Sequence, residues 1–233
     1  MMQRPTDTAP RREGERMTGP GLDHVAQIEP DFDESWDFCE RLRPTGPHAI
    51  TTIANENKGI RGSLFRPGEK AQFVAFCQRA YDLRENTYYS LNSVIPSQFH
   101  KKAKKVDIAE VIALHVDDDP EKGKDLDRER ARILKRAQHD LPAGVPQVSI
   151  IVDSGGGYQL IWLLDAPIVI NGDLAKAADT ERYTRWLEQR FEGSDKTHNV
   201  DRVLRLPGTC NFPNLKKQAK GRFPRRARVV QWL

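Results

Sequence analysis

Between residues 110 and 206, short apolar stretches alternate with longer charged stretches, and this order restricts the possible folds more than any other feature of the chain. Runs rich in branched and aromatic residues predict strands at 110–117, 147–152, 158–164 and 200–206. Sparse apolar residues at helical spacing predict helices at 122–139 and 174–191. The predicted order is β-α-β-β-α-β, so we expect an α+β fold built on an antiparallel sheet.

This order is typical of ferredoxin-like and RNA-recognition-motif (RRM) folds, in which the first strand lies between the third and the fourth. The first predicted strand ends at Asp117, the third begins near Gln159 and the fourth begins near Asp201. Antiparallel pairing brings the end of one strand beside the start of the next. We therefore expect these three positions to meet at one edge of the sheet.

Composition divides the rest of the chain into segments. Residues 1–35 are rich in Pro, Gly, Thr and charged residues, which predicts a disordered N-terminal segment. Residues 36–110 predict an N-terminal α/β module, 111–215 the RRM-like unit, and 216–233 a basic segment with a last strand. We expect residues 36–233 to fold as one domain.

Within the N-terminal module, the pattern of apolar residues predicts short elements. In chain order they are a helix at 36–42, a strand at 48–54, a loop at 56–69, a helix at 70–84, a strand at 87–92 and a lysine-rich loop at 100–105. In the later helix 174–191, we expect Tyr183, Trp186 and Leu187 to pack against the sheet.

The distribution of charge indicates a polyanionic partner. The net charge is only +4, but residues 216–228 hold seven basic residues and no acidic one, which leaves 30 basic against 33 acidic residues elsewhere. A basic segment on a mildly acidic body is typical of nucleic-acid binding, although a solubilising tail has the same composition.

Several classes of protein are disfavoured by the sequence. No apolar run approaches the roughly 20 residues of a membrane-spanning helix. The polar N-terminus shows no secretory signal, and the three cysteines form no CxxC pair. We therefore expect a cytoplasmic protein without a membrane partner.

Three consecutive carboxylates, Asp117 to Asp119, follow the first predicted strand. Side chains alternate along a strand, so Asp117 and Asp119 share a face if the strand continues. With Asp201 they would make an oxygen-rich site suited to Mg²⁺ or Mn²⁺. An acidic turn at the start of a helix is the alternative, because carboxylates also stabilise the first helical turn.

The run SGGGY at 154–158 is the second candidate feature. Its glycines could direct backbone N–H groups at an anion, or they could simply close a hairpin. It is no Walker loop, because GxxxxGK[ST] occurs nowhere in the chain.

The fourth predicted strand carries Asp201 and Arg205 on one face. They could form a surface ion pair, or they could act as a metal ligand beside a phosphate-binding arginine. His115 lies on the predicted face of Asp117 and suits either a structural histidine or a nucleotide contact. No HExxH pair exists, so a zinc hydrolase is disfavoured.

Three motifs in order carry a resemblance to a known family. HVDDDP (115–120), SGGGYQLIW (154–162) and NVDRVLRLPGTCNFPN (199–214), preceded by YYSLN (88–92), resemble the archaeo-eukaryotic primase (AEP) superfamily. The likeness spans about residues 87–215 and is greatest to primase-polymerase domains of plasmid and phage replication proteins.

The resemblance implies a fold, a reaction and a site. The fold is an RRM-like catalytic unit fused to an N-terminal α/β module, and the reaction is template-dependent nucleotidyl transfer by a DNA primase and polymerase. Two divalent ions, Mg²⁺ or Mn²⁺, would be held by the catalytic carboxylates Asp117, Asp119 and Asp201. The nucleotide would be bound by Ser154, Gly155, Gly156, Gly157, Gln159, Arg205 and His115.

The implied partners are an NTP or dNTP, a single-stranded DNA template, and a replicative helicase in the same chain or as a separate protein. The template phosphates would be bound by basic residues in two segments, without reading of sequence. These are Lys101, Lys102, Lys104, Lys105, Lys216, Lys217, Lys220 and Arg222.

Two positions depart from the pattern of the family. Asp118 stands where the family usually has an apolar residue, and Gln159 stands where it usually has histidine. Glutamine donates hydrogen bonds but carries no charge, so the positive charge at the triphosphate would have to come from Arg205, Arg202 or a nearby lysine.

Three rival functions remain open. An RRM-like sheet could bind single-stranded nucleic acid without chemistry, and its binding would survive loss of the aspartates. A DNA-nicking initiator would need a His-x-His metal pair and a nucleophilic tyrosine, and no His-x-His occurs. A metal-dependent nuclease would degrade DNA where a polymerase extends it.

Overall fold

The computed structural model describes residues 28–55, 59–191 and 197–233. The helices are α1 (Phe32–Leu42), α2 (Lys70–Asp82), α3 (Leu126–His139), α4 (Leu174–Glu188) and α5 (Leu215–Gln218). The strands are β1 (His48–Ile53), β2 (Ile60–Phe65), β3 (Asn86–Ser90), β4 (Ser93–Val94), β5 (Ile108–Asp118), β6 (Ile150–Asp153), β7 (Tyr158–Val169), β8 (Val203–Arg205), β9 (Cys210–Asn211), β10 (Arg225–Arg226) and β11 (Arg228–Trp232).

Two antiparallel sheets organise the described part of the chain. One has the strand order β2-β1-β3-β8 and the other has the order β11-β6-β7-β5-β4, while β9 and β10 form a short separate pair. The α+β class expected from the sequence is confirmed. The expected helices near 122–139 and 174–191 and the last strand are also present as α3, α4 and β11.

The expected place of the fourth strand is wrong. The strand at Val203–Arg205 does not join β5 but pairs with β3, where Tyr88 lies opposite Arg205. The free edge of β5 is occupied instead by β4, in which Ser93 pairs with Glu110. The order β6-β7-β5 matches the RRM-like expectation, whereas the strand after Asp201 belongs to the facing sheet.

Two expectations at the N-terminal end also need correction. The expected loop at 56–69 contains β2, in which Gly62 lies against the 100–105 loop so closely that a Cβ there would be 2.2 Å from the Lys101 carbonyl oxygen. The first helix starts at Phe32, because the Asp31 carboxylate accepts a hydrogen bond from the Glu34 N–H at 2.9 Å. Residues 1–27 of the expected disordered segment lie outside the described residues.

Alternation along β5 divides the core between the two faces of the larger sheet. Val116 packs with α3 residues such as Ile133, on one face. Ala113 packs on the other face with residues of α1 and of the smaller sheet, including Phe38 and Tyr89. The larger sheet is therefore covered by α3 on one side and by α1 and the smaller sheet on the other.

Helix α4 packs differently from the prediction. Leu187 is buried as expected, but Tyr183 and Trp186 are 56% and 38% exposed. The buried stripe of this helix runs instead through small and polar residues, including Ala177, Thr180 and Thr184. No helix in the described ranges is long and apolar enough to cross a membrane.

Candidate active site

The carboxylates at the end of β5 point to opposite faces of the larger sheet. Asp118 faces α3, is completely buried and forms an ion pair with Arg136. Burial raises the pKa of Asp118 above its ordinary value, while the Arg136 guanidinium opposes that shift. Asp118 therefore joins the sheet to α3, which explains an acidic residue where the family usually has an apolar one.

A second buried ion pair joins α3 to the same face of the sheet. Arg130 of α3 contacts Asp153 at the end of β6 at 2.7 Å, and both side chains are buried. The Arg130 guanidinium also lies over the Tyr158 ring, 5.1 Å from its centroid. The strand ends that carry the candidate site are thus fixed from behind by α3.

Asp117 faces the smaller sheet, where its neighbours are polar. It lies opposite Gln159 in the register of β5 and β7, as the sequence predicts for these two strand ends. Arg202, just before β8, donates a hydrogen bond to Asp117 Oδ2 at 3.1 Å. Gln159 is buried, and its Oε1 has no hydrogen-bond partner among the described residues.

Asp119 lies against the glycine turn that connects β6 to β7. A Cβ at Gly157 would be 2.5 Å from Asp119 Oδ1 and 2.4 Å from the Asp118 carbonyl oxygen. Only glycine permits this close approach, so Gly157 brings the turn and the acidic run together. Two of the three sequence motifs therefore share one end of β5 and β7.

The glycine turn is closed by its own hydrogen bonds. The Ser154 hydroxyl accepts from the N–H groups of Gly156 and Gly157 at 3.3 and 3.1 Å, and it donates to the Gly157 carbonyl at 3.0 Å. The Gly155 N–H donates to Asp153 Oδ1 at 2.8 Å. These N–H groups would have to exchange partners to bind a phosphate, so the hairpin interpretation accounts for the turn as it stands.

The segment that leads to Asp201 is connected to β5 by Asn92. The Asn92 amide donates to the Val200 carbonyl at 2.9 Å and accepts from the Ile112 N–H at 3.0 Å. This side chain ties the segment before Asp201 to the backbone of β5. Asp201 Oδ1 is buried, and no described residue provides it with a hydrogen bond.

Arg205 is buried in a polar network and does not form the surface pair with Asp201 considered from the sequence. Its guanidinium donates to Asn86 Oδ1 at 2.7 Å, to the Tyr88 hydroxyl at 3.1 Å and to Asn211 Oδ1 at 3.2 Å. Burial lowers the pKa of Arg205, and the nearby Tyr88 and Asp117 oppose that shift. Arg205 thus supplies buried positive charge near Asp117, held by three other side chains.

His115 has the environment of a structural histidine. Its Nε2 lies 2.8 Å from the Thr197 carbonyl oxygen, and burial lowers the pKa of the ring to about 4. The ring is therefore neutral at pH 7. Its nucleotide contact remains a prediction.

The basic residues of the two predicted DNA-binding segments differ in whether they are exposed or already bonded to other residues. Lys101, Lys102 and Lys104 are exposed, whereas Lys105 forms an ion pair with Glu181 of α4 at 2.7 Å. In the second segment, Arg222 donates to the Gly156 carbonyl at 3.1 Å, which places it beside the glycine turn. The remaining members of that segment, Lys216, Lys217 and Lys220, are exposed.

The three predicted ligands are carboxylates, and their donor chemistry suits a divalent cation. No three His, Cys, Asp or Glu residues of the described ranges are grouped around one metal position. Asp117 is engaged by Arg202, yet the predicted ligands are all carboxylates, and Asp201 offers a buried oxygen without a hydrogen-bond partner. Hard cations such as Mg²⁺ prefer oxygen ligands of this kind.

Sequence reasoning missed several residues that build the site. Asn92 and Asn86 form buried hydrogen bonds, and Asn211 forms a partly buried one, between segments far apart in the chain. Polar residues within otherwise apolar strands were the available signal, since a buried amide must find hydrogen-bond partners. Their partners could not be named without the placement of β8 in the smaller sheet.

Comparisons with known proteins agree with the motifs. The family described as "RepB DNA-primase N-terminal domain" matches residues 82–231. No curated protein matches the chain.

Solved structures of primases share the fold. The AEP domain of the primase-polymerase (PrimPol) of cyanophage S-2L is 16% identical, with a TM-score of 0.55 over 87% of this chain and 91% of that chain. The catalytic domain of primase RepB', solved in complex with initiator DNA, is 11% identical, with a TM-score of 0.54 over 86% of this chain and 85% of that chain. A second structure of RepB' has a TM-score of 0.55 at 11% identity, over 86% of this chain and 56% of that chain.

Proposed function

The chain belongs to the family of RepB DNA-primase N-terminal domains, and we propose that it is a primase-polymerase that joins nucleotides on a single-stranded DNA template. In this reaction the 3′-hydroxyl oxygen of the growing strand forms a bond to the α-phosphorus of an incoming nucleotide, and pyrophosphate leaves. The family and the fold support a primase-like domain of a plasmid- or phage-type replication system.

One observation carries the proposal: residues of three sequence motifs that are far apart in the chain contact one another at the paired ends of β5 and β7. Asp117 lies opposite Gln159, and Gly157 lies against Asp119. Arg202, next to Asp201, contacts Asp117 from the facing sheet. Carboxylates for a metal ion and a buried arginine for phosphate charge are the groups that nucleotidyl transfer needs close together.

The proposed roles follow from position and charge. Asp117, Asp119 and Asp201 would hold Mg²⁺ or Mn²⁺, which when bound neutralises charge on the reacting phosphate and activates the attacking hydroxyl. Gln159 would donate a hydrogen bond to the triphosphate from its buried position on β7, and the buried Arg205 would add positive charge. The contribution of the chain would be mainly positioning and electrostatic stabilisation.

A single-stranded nucleic-acid-binding module without chemistry is the second candidate. Two observations favour it: no three metal-ligand side chains are grouped in the described ranges, and Asp117 is paired with Arg202. The uncharged Gln159 also favours a binding module, because glutamine cannot neutralise the charge of a triphosphate. Such a module would bind DNA without metal and independently of the three aspartates.

Nucleotide incorporation tests both candidates. We would measure extension of a single-stranded template, with and without a primer, in Mg²⁺ and in Mn²⁺. The double variant Asp117→Ala with Asp119→Ala should lose at least about 100-fold in rate, because charge neutralisation by the metal is worth several kcal/mol. Asp118→Asn is the matched control and should keep most of the activity of the folded protein, since Asp118 faces α3.

The outcomes separate the candidates. Metal-dependent product that disappears only in the double variant supports a primase-polymerase. No product from the wild type in either metal, with template binding intact, contradicts the catalytic proposal and favours the binding module. Shortening of the DNA in place of extension would indicate a nuclease.

A further inference from the structure

The loop between β9 and β10, residues 212–224, is an ordered structure, which argues against a mere solubilising tail. The Asn214 side chain accepts a hydrogen bond from the Lys217 N–H at 3.0 Å, and the Arg222 N–H donates to the Lys217 carbonyl at 3.1 Å. The Gln218 amide donates to the Pro213 carbonyl at 2.8 Å. The loop therefore holds its own shape, although residues 214–221 are all exposed.

This 212–224 loop begins at the candidate site. Asn211, the last residue of β9, donates from its side chain to the Ser154 carbonyl at 2.8 Å. Arg222 donates to the Gly156 carbonyl at 3.1 Å, so both ends of the loop contact the glycine turn. Any chain bound along the loop would lie next to the proposed nucleotide site.

Phe223 is the feature of this loop that the proposed function does not use. Its ring is 57% exposed, whereas Pro224 next to it is buried and Arg222 on the other side is tied to Gly156. The backbone on both sides of Phe223 is thus fixed while the ring faces solvent. Binding of an aromatic partner to this ring would therefore cost the protein little additional conformational entropy.

The charge around the ring selects the class of partner. The loop contains four basic residues, Lys216, Lys217, Lys220 and Arg222, and no acidic residue. Single-stranded nucleic-acid sites combine positive charge that follows the phosphates with aromatic rings on which bases stack. A polyanion without flat rings would leave Phe223 unused, and an apolar protein partner would leave the lysines unpaired.

We propose that Phe223 stacks on a base of a single-stranded DNA whose phosphates are bound by Lys216, Lys217 and Lys220. This inference rests on the proposed function, because it takes the strand to be the template that passes the glycine turn. It adds a positioning role: a base stacked on Phe223, whose two neighbours are anchored, sets the path of the strand beside the nucleotide site. The stacking does not depend on base identity, since every base has an aromatic face.

Binding of two fluorescent oligonucleotides to the full chain tests the stacking directly. One is oligo-dT of about 12 nucleotides, and the other is an abasic strand of equal length that keeps the phosphates and lacks the bases. Phe223→Ala should weaken binding of oligo-dT about tenfold, because stacking of one base is worth roughly 1–3 kcal/mol, and should leave binding of the abasic strand unchanged. Phe223→Trp should bind oligo-dT at least as tightly as the wild type.

Two controls separate stacking from charge and from loss of any exposed ring. Tyr183 on α4 is 56% exposed, nearly the same as Phe223. Tyr183→Ala therefore removes an equally exposed ring from a different element and should leave the affinity for both oligonucleotides unchanged. Lys217→Ala should weaken binding of both oligonucleotides and reduce the slope of log affinity against log salt by about 0.7.

Several results would overturn the proposal. Two of them are that Phe223→Ala loses as much affinity for the abasic strand as for oligo-dT, or that it loses no affinity for oligo-dT at all. The others are that Tyr183→Ala loses as much affinity for oligo-dT as Phe223→Ala, or that the wild type does not bind oligo-dT. Failure of nucleotide incorporation with the expected binding pattern intact would remove the catalytic function and leave the stacking site standing. The two proposals can therefore fail separately.

Discussion

The two faces of β5 give neighbouring aspartates opposite environments. Asp118 is completely buried, and its partner Arg136 lies on α3 among apolar residues. Asp117 is 17% exposed, and its partner Arg202, which is 35% exposed, lies just before β8. The pair with α3 is an element of the fold, whereas the Asp117 carboxylate lies beside Gln159 and would exchange Arg202 for a ligand. The same residue type therefore has two roles, which are set by the alternation of the strand.

Removal of Asp118 should give the largest loss of stability, and it tests whether this aspartate has a structural role. Asp118→Ala removes the completely buried carboxylate from the Arg136 guanidinium, whose side chain is only 16% exposed, and should lower the free energy of unfolding by about 3 kcal/mol. Asp117→Ala, on the more exposed face, should lower it by less than about 1 kcal/mol. Denaturant unfolding of both variants measures the difference.

A double variant sharpens the same test. Asp118→Leu with Arg136→Met removes both charges from the interface of α3 and the sheet, and apolar replacement of a buried pair is often neutral. We expect its stability to lie closer to the wild type than that of Asp118→Ala. Equal losses in the Asp117 and Asp118 variants would show that the two faces do not differ in the way described.

The fold and the site were predictable where the inference depended on a single strand. Alternation indicates that Asp117 and Asp118 face opposite sides, and the order of the strands indicates that Asp117 lies near Gln159. The pairing of β8 with β3 was not predictable, because it depends on which sheet edge is still open after β4 has paired with β5. The choice of Arg136 as partner of Asp118 likewise depends on how α3 docks on the sheet.

Gln159 on β7 allows a second test of the difference between the two faces of the larger sheet. Gln159 lies opposite Asp117, and Leu160, next to it, packs on the α3 face. Gln159→His should lower the KM for the nucleotide by up to about tenfold at pH 6, because the bound triphosphate favours a protonated imidazole against the burial of this position and the protonated ring makes a charge-assisted hydrogen bond to phosphate. The gain should shrink at pH 8, where the imidazole is neutral.

Gln159→Leu is the matched variant for this position. It keeps the approximate size of the side chain and removes its hydrogen bonds, so it should raise the KM for the nucleotide with little change in stability. Steady-state incorporation at several nucleotide concentrations gives both values. An unchanged KM in Gln159→Leu would mean that this side chain does not contact the nucleotide.

The smallest expected effect concerns the contact between Arg202 and Asp117. Its removal should change the concentration of metal ion that incorporation requires. Arg202 competes with a cation for Asp117 Oδ2, to which it donates at 3.1 Å. Its side chain is 35% exposed, and pairs of this exposure are worth roughly 0.2–1 kcal/mol. Arg202→Gln should therefore reduce the Mn²⁺ concentration at half-maximal incorporation by about fivefold at most.

A control arginine makes this small change interpretable. Arg182 forms an exposed pair with Asp179 on α4, so Arg182→Gln removes the same charge without touching the cleft. Both variants change the net charge equally, and any general effect of charge on DNA or metal binding should appear in both. A lower Mn²⁺ requirement in Arg202→Gln alone identifies Arg202 as a competitor at Asp117. A higher requirement would mean instead that the guanidinium helps to hold Asp117 in position for the cation, so that the contact across the two sheets would prepare the site and not compete with the metal.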